Sequence, residues 1–295
     1  MRSYNINIAE YHIRLEAVAD SPELVPSSRF LRNICNENGS DVLIRVHSGK
    51  YILPTGAEMV LSAPCVKEIN DIRINNKDEF WNVYKHHNEL YIRTPFPLSS
   101  ENKRATLKFS LSDMEWELWL EGADKEIDPL EYPLDGLILY YLTVIHGDIM
   151  IHASGINNAS HGYIFSGVSG KGKTTMAKLW NDHGAGIIHD DRLILRKTVS
   201  GYSMFNTPVY DNDDPRDSPL NKIFIIEHGI SNRLVEVKGA AAVSLVMANC
   251  IQHNWNSDII AQLMDSVSIM CMTVPVVRLY FKPDRSVIDY ILENE

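Results

Sequence analysis

Apolar and polar residues alternate with a period of two over most of the first ~125 residues, the signature of half-buried strands. Residues 4–16 alternate over two strand lengths, and residues 41–46, 90–93 and 105–110 repeat the pattern. In residues 116–120 the side chains of Trp116, Leu118 and Leu120 share one face, with Glu117 and Trp119 on the other. Residues 124–133 are polar and carry two prolines, which marks a boundary. An apolar helix is predicted over 134–145, ending near Gly147. A strand over 149–155, a hairpin turn over 157–162 and a second strand over 162–166 follow. Residues 175–180 predict a helix with Met176, Leu179 and Trp180 on one side, stopped by His183-Gly184-Ala185-Gly186. Residues 187–191 read as a short strand ending in two carboxylates, and 193–195 as its continuation. Residues 206–219 are a loop rich in Asp, Asn and Pro. Strands at 222–227, 234–237 and 274–281 and helices at 240–252, 258–270 and 284–292 complete the pattern. The chain is thus expected to hold a strand-rich region, 1–125, and an α/β domain, 126–295.

Between the strand at 162–166 and the helix at 175–180 stands Gly167-Val168-Ser169-Gly170-Lys171-Gly172-Lys173-Thr174, which matches G-x-x-x-x-G-K-[ST]. A phosphate loop needs these residue types. Backbone N–H groups must converge on phosphate oxygens, and glycine leaves that approach open. Lys173 supplies a point charge, the Thr174 hydroxyl can ligate Mg²⁺, and the helix N-terminus attracts the anion. The binding set is Gly167, Ser169, Gly170, Lys171, Gly172, Lys173, Thr174 and Thr175. An ordinary glycine turn is the plainer reading; the strand–loop–helix context favours phosphate. One helix later come Asp190 and Asp191. Neighbours on a strand point to opposite faces, so one acid could reach a Mg²⁺ ion held by Thr174 while the other accepts a proton from an attacking hydroxyl. A pair of surface acids in a turn is the alternative. His12, His47, His86 and His87 show no metal-ligand spacing.

Composition narrows the partners. The net charge is -10 with no long basic run, which argues against nucleic acid or an anionic membrane. The longest apolar run, 137–145, is far short of the ~20 residues that span a bilayer. No apolar signal-peptide core opens the sequence. Cys35, Cys65, Cys250 and Cys271 are far apart and lack CxxC spacing, so reduced thiols in a cytoplasmic protein are expected.

His152 on the strand before the loop, the Gly-x-Ser-Gly-x-Gly-Lys-Thr-Thr form of residues 167–175, and Asp190-Asp191-Arg192 together resemble the catalytic domain of HPr kinase/phosphorylase and its phosphoenolpyruvate carboxykinase relatives. Ser218-Pro219-Leu220-Asn221-Lys222-Ile223-Phe224 and the strand at 276–281 are similar to bacterial HPr-kinase-like proteins. The resemblance covers roughly residues 130–295. It implies an α/β fold with a carboxykinase-like, HPr-kinase-like P-loop core on a mixed β-sheet, preceded by the strand-rich region. It implies that Lys173 binds the β-phosphate and stabilises transfer, and that Thr174 ligates Mg²⁺. It further implies that Asp190 is the base, poised beside His152, and that Asp191 faces the metal. The glycine-rich, arginine-bearing stretch that follows the acids in HPr kinases has its nearest counterpart here in Glu236-Val237-Lys238-Gly239, with Lys for Arg.

The function expected is an ATP-dependent, Mg²⁺-requiring serine kinase, acting on a hydroxyl of a small protein or peptide, with homo-oligomerisation left open. A nucleotide-binding regulatory module without phosphotransfer is the alternative.

Overall fold

A computed structural model of the chain describes residues 1–19, 21–36, 39–64, 68–69, 72–73, 80–96, 103–122 and 126–294. Cys65 and the first residues of the polar boundary, Asp124 and Lys125, lie outside the described residues. The described chain is mixed α/β and forms two compact units. The first holds Met1–Ile145, Pro208–Asp214 and His253–Trp255, and the second His146–Thr207, Pro215–Gln252 and Asn256–Glu295. Helix α1 (Leu134–His146) is therefore counted almost wholly with the first unit, where the sequence reading assigns it to the second domain. It is apolar on nearly every side, and Leu134, Asp135 and 137–143 are buried. Such a helix has no solvent face to spare, and Tyr141 packs on Phe109 of the first sheet with ring centroids 4.6 Å apart.

The first unit is built on a nine-stranded sheet. Its spatial order is Ile34–Cys35, Ser3–Ile8, Tyr11–Ala17, Val42–Ser48, Glu115–Glu121, Arg104–Phe109, Glu89–Pro95, Asn82–His86 and Glu58–Ser62. The two joints on either side of Val42–Ser48 are parallel and the rest antiparallel. Alternation decides which face is buried: Ile6, Ile8, Ile13, Leu15, Ile44, Val46, Trp116, Leu118 and Leu120 are all buried.

The second unit carries the glycine loop. Its strands are β1 (Ile149–Asn158), β2 (His161–Ser166), β3 (Gly186–His189), β4 (Arg192–Thr198), β5 (Gly201–Asn206), β6 (Asp217–Pro219), β7 (Lys222–His228), β8 (Arg233–Val237) and β9 (Val276–Phe281). Its helices are α2 (Lys173–Asp182), α3 (Gly239–Met247), α4 (Ser257–Cys271) and α5 (Ser286–Glu293). The strands form one sheet in the order β6-β5-β4-β1-β2-β7-β9-β8, with β3 beside β1. Strand β2 runs parallel to β7, and β7 parallel to β9, while β1 is antiparallel to β2, β3 and β4. The stretch read from sequence as a loop, 206–219, ends in a strand: Asp217–Pro219 (β6) pairs with β5 and so lengthens the sheet at its edge.

Strands β2, β7 and β9 of this sheet send residues to two cores. Ile164, Ile223, Ile225 and Val276 pack with α3 and α4 residues such as Val246 and Val267. Tyr163, Phe165, Phe224, Ile226, Leu279 and Phe281 pack on the other face with Met176, Ala177 and Trp180 of α2 and Val287, Ile288 and Ile291 of α5. Runs that are apolar at every position, as in residues 223–226, are what a strand covered on both faces requires. No helix among the described residues is long and apolar enough to cross a membrane.

Candidate functional site

The glycine loop leaves the C-terminal end of β2, the outer member of the parallel set β2-β7-β9, and enters α2 at Lys173. Crevices at the C-terminal ends of parallel strands are where α/β sheets hold ligands. Three glycines have separate reasons to be glycine. At Gly167 a Cβ would come within 3.0 Å of the Ile226 carbonyl oxygen. Gly170 has φ +79° in open space. Gly172, the residue before α2, has φ +92°, and a Cβ there would meet the Phe281 ring at 2.9 Å. Ser169, Gly170, Thr174 and Thr175 are exposed, while Gly167 is buried and Lys171, Gly172 and Lys173 are half-buried. Lys173 folds back over the loop, and its Nζ donates to the Gly167 carbonyl at 2.9 Å. Burial holds its ammonium below the ordinary lysine range, against the opposing pull of the Asp190 and Asp191 charges. Both acids therefore act on Lys173 although a whole helix separates them in sequence.

Asp190 and Asp191 lie in a two-residue bend between β3 and β4, and not on a strand as the sequence reading has them. The bend is built locally. His189 is buried, and its Nδ1 accepts the backbone N–H of Asp191 at 3.0 Å and of Arg192 at 3.2 Å. The Asp191 carbonyl accepts from the Ala153 N–H at 3.0 Å, which ties the corner to the middle of β1. At that point β1 changes neighbours: Ile149–His152 pair with β4, and Gly155–Asn157 with β3. Strand alternation does not operate in a bend, so tertiary partners decide where each carboxylate goes.

Those partners differ from the arrangement implied by the family resemblance. His152 Nδ1 lies 3.2 Å from Asp191 Oδ1, so its acid neighbour is Asp191 and the expected Asp190 neighbour is replaced. Arg192 Nε holds the other oxygen of Asp191 at 3.2 Å. Burial raises the Asp191 carboxyl, but the hydrogen bond with His152 and the charges of Arg192, His152 and His189 outweigh it and hold it below the usual range. Asp190 instead accepts a hydrogen bond from the Ser154 hydroxyl, which is fully buried. Ser166 Oγ, also buried, donates to the His152 carbonyl at 3.0 Å and fixes the backbone that carries the imidazole. His152 and Asp191 side chains are themselves about half-exposed, so the pair faces solvent.

Three contributors carry no motif in the sequence: His189, Ser154 and Ser166. Each acts through a neighbour that only the fold supplies. Ser154 had one available signal, its position two residues after His152 on the same strand and hence on the same face.

The donor set suits a hard cation. The exposed Thr174 hydroxyl and the two carboxylates are oxygen donors of the kind Mg²⁺ accepts. Among the described residues no group of three or more His, Cys, Asp or Glu side chains is arranged to hold a metal ion. A cation here would draw most of its ligands from phosphate and water, as Mg²⁺ characteristically does.

No family model matches the chain. No curated protein matches it either. Among solved structures the chain is similar to the HPr(Ser) kinase/phosphatase from Coxiella burnetii, at 9% sequence identity, over 49% of this chain and 94% of that one, with a TM-score of 0.31. A score that low carries no argument about the site, whose chemistry rests on the residues of this chain.

Proposed function

We propose that the second unit binds a nucleoside triphosphate, ATP in the first instance, together with Mg²⁺, and transfers the terminal phosphoryl group to a hydroxyl, a serine of a small protein or peptide. One observation carries this reading. A glycine loop that opens a helix ends in a lysine, and that lysine feels the charge of two adjacent carboxylates brought from beyond the helix.

The roles follow from the surroundings of each group. The loop glycines leave backbone N–H groups accessible to phosphate oxygens. Lys173 exchanges a neutral partner, the Gly167 carbonyl, for a phosphate oxygen. Thr174 and Asp191 would hold Mg²⁺; when bound, the ion neutralises charge on the phosphates. Asp191 is suited to a charge-bearing role because its partners keep it ionised. Asp190, oriented by Ser154, takes the proton from the acceptor hydroxyl. The acceptor oxygen then bonds to the terminal phosphorus, the bond from that phosphorus to its bridging oxygen breaks, and the electron pair stays on the diphosphate. His152 orients Asp191 and so acts one step removed from the proton transfer.

Calorimetric titration with MgATP tests the reading. The wild type is expected to bind, and Lys173→Ala to bind more weakly with its fold intact, because a loop lysine adds little packing. Equal binding by both proteins sinks the proposal. Binding without metal-dependent ADP release on any hydroxyl acceptor would leave a nucleotide-regulated module in place of the kinase.

A further inference from the structure

The ends of β7 and β9 press on the glycine loop at two of its three glycines. Ile226 of β7 closes the space beside Gly167, and Phe281 of β9 closes the space beside Gly172. Gly170 is different: nothing lies within 4 Å of where its Cβ would be, so packing does not hold it. Glycine populates both hands of φ about equally. Turning over the peptide between Gly170 and Lys171 rotates ψ of Gly170 and φ of Lys171, so the glycine frees one of the two hinges, and the direction of the peptide matters to an anion. A trans peptide places C=O and N–H on opposite sides. One orientation offers the ligand a donor and the other a carbonyl oxygen, which repels phosphate.

A contact from outside the loop favours one of them. His228, at the end of β7, has its Nε2 3.1 Å from the Gly170 carbonyl oxygen. The ring is stacked on Phe281, with centroids 5.7 Å apart and planes 27° from parallel. Phe281 is the same side chain that packs against Gly172. The aromatic contact thus sets the plane of the imidazole, and the hydrogen bond sets the direction of the loop carbonyl. With that carbonyl held at His228, the Lys171 N–H turns toward the inside of the loop, where it makes only a long bond of 3.3 Å to the Val168 carbonyl. A weak internal partner is readily exchanged for a phosphate oxygen.

The geometry points to His228 as a positioning residue that latches the Gly170–Lys171 peptide with its N–H toward the phosphates; this deepens the reading of the loop as a phosphate site and rests on it. A carbonyl only accepts, so Nε2 must carry the proton. A neutral His228 is accordingly the Nε2–H tautomer.

Two substitutions separate a latch from a packing role. His228→Phe keeps a ring on Phe281 and loses the N–H. His228→Gln loses the ring and keeps a donor at nearly the same distance from the backbone. In calorimetric titration with MgATP, His228→Gln is expected to match the wild type within about 2-fold. His228→Phe is expected to bind about 2- to 10-fold more weakly, the range set by one ordinary hydrogen bond. Thermal unfolding midpoints identical within error would show that both variants are folded. Normal binding by His228→Phe, or a loss in His228→Gln as large as in His228→Phe, overturns the latch. A second measurement needs no nucleotide: two-bond ¹H–¹⁵N spectra of the wild type should show the His228 proton on Nε2, and a neutral Nδ1–H form overturns the proposal. If the wild type fails to bind MgATP, the phosphate reading falls on that result, while the tautomer spectrum still decides whether the loop is latched.

Discussion

Asp190 and Asp191 are adjacent in sequence and live in different electrostatic surroundings. Asp191 is flanked by His152 and Arg192, each at 3.2 Å, and Asp190 by the buried Ser154 hydroxyl. Asp190→Asn should therefore leave Mg²⁺-dependent nucleotide binding nearly unchanged and slow transfer by about 10²–10⁴-fold, the usual contribution of a positioned base. Asp191→Asn should weaken Mg²⁺ dependence and nucleotide affinity together. Mg²⁺-titrated binding alongside single-turnover transfer checks both, and two identical profiles would remove the basis for separate roles. The depressed Asp191 carboxyl also has a pH consequence. A group with a lowered folded pKa adds stability above its unfolded value, about 3.9, and loses it as pH falls through the folded value. His152→Ala removes the main lowering contact, so the Asp191 carboxyl should titrate closer to the ordinary range, and this part of the acid-side stability should be lost at higher pH. Carbon NMR titration of Asp191 reads this directly; an unchanged midpoint would show that His152 does not set it and that the Arg192 and His189 charges do. At this scale the sequence already displays the loop lysine and both acids, because their spacing is local. It does not display which acid meets His152, because that depends on how a bend docks on β1.

At the scale of elements, α2 carries the loop and must be pinned to the sheet. Trp180 is its largest buried side chain: it is fully buried, with its ring 5.5 Å from Tyr163 and 6.3 Å from Phe165, both on β2. Trp180→Ala removes a large buried ring beside two others and should cost about 3–5 kcal/mol of stability, read as a lowered midpoint in denaturant unfolding. A loss under 1 kcal/mol would mean that α2 is held by other contacts. Gly172→Ala adds a Cβ at 2.9 Å from Phe281 on a backbone with φ +92°. It should destabilise by about 1–3 kcal/mol and weaken MgATP binding with it. Most of these elements are visible in the hydrophobic pattern, since a strand covered on two faces or a helix with one apolar side writes its period into the sequence. The end of α3 is not. The predicted helix runs to residue 252, but the observed helix stops at Met247. Residues 249–251 instead reach the edge of β1, through His152 N–H to the Asn249 carbonyl at 2.9 Å and Ile251 N–H to the Met150 carbonyl at 2.8 Å. Strand β2 covers only the second half of β1, and these residues satisfy the backbone groups of the first half.

Across the whole molecule the two units are interleaved along the chain. Asn212 N–H donates to the Ser28 carbonyl at 2.9 Å, and Ser28 Oγ bonds the Asp211 carboxylate. His253 N–H donates to the Tyr140 hydroxyl at 3.0 Å, and Trp255 Nε1 to the Tyr141 hydroxyl at 3.2 Å. Both segments belong to the first unit although second-unit strands and helices surround them in sequence. A chain of residues 126–295 keeps the glycine loop, both acids and His228 but strands 208–214 without Ser28. It should bind MgATP within a few-fold of the full protein and unfold at a lower temperature, as calorimetry and titration together would show. A folded truncation that does not bind would mean that the first region completes the site. By itself the sequence determined an α/β second half behind a strand-rich first half, the phosphate-loop pattern, and a pair of acids one helix downstream. These rest on short-range periodicity and spacing, which a linear pattern can hold. Only the tertiary structure decided that His152 serves Asp191, that His189 and Ser154 shape the acid corner, that His228 meets the loop, and that 208–214 and 253–255 leave the second unit. Each of those joins residues separated by elements whose register and docking no local pattern encodes.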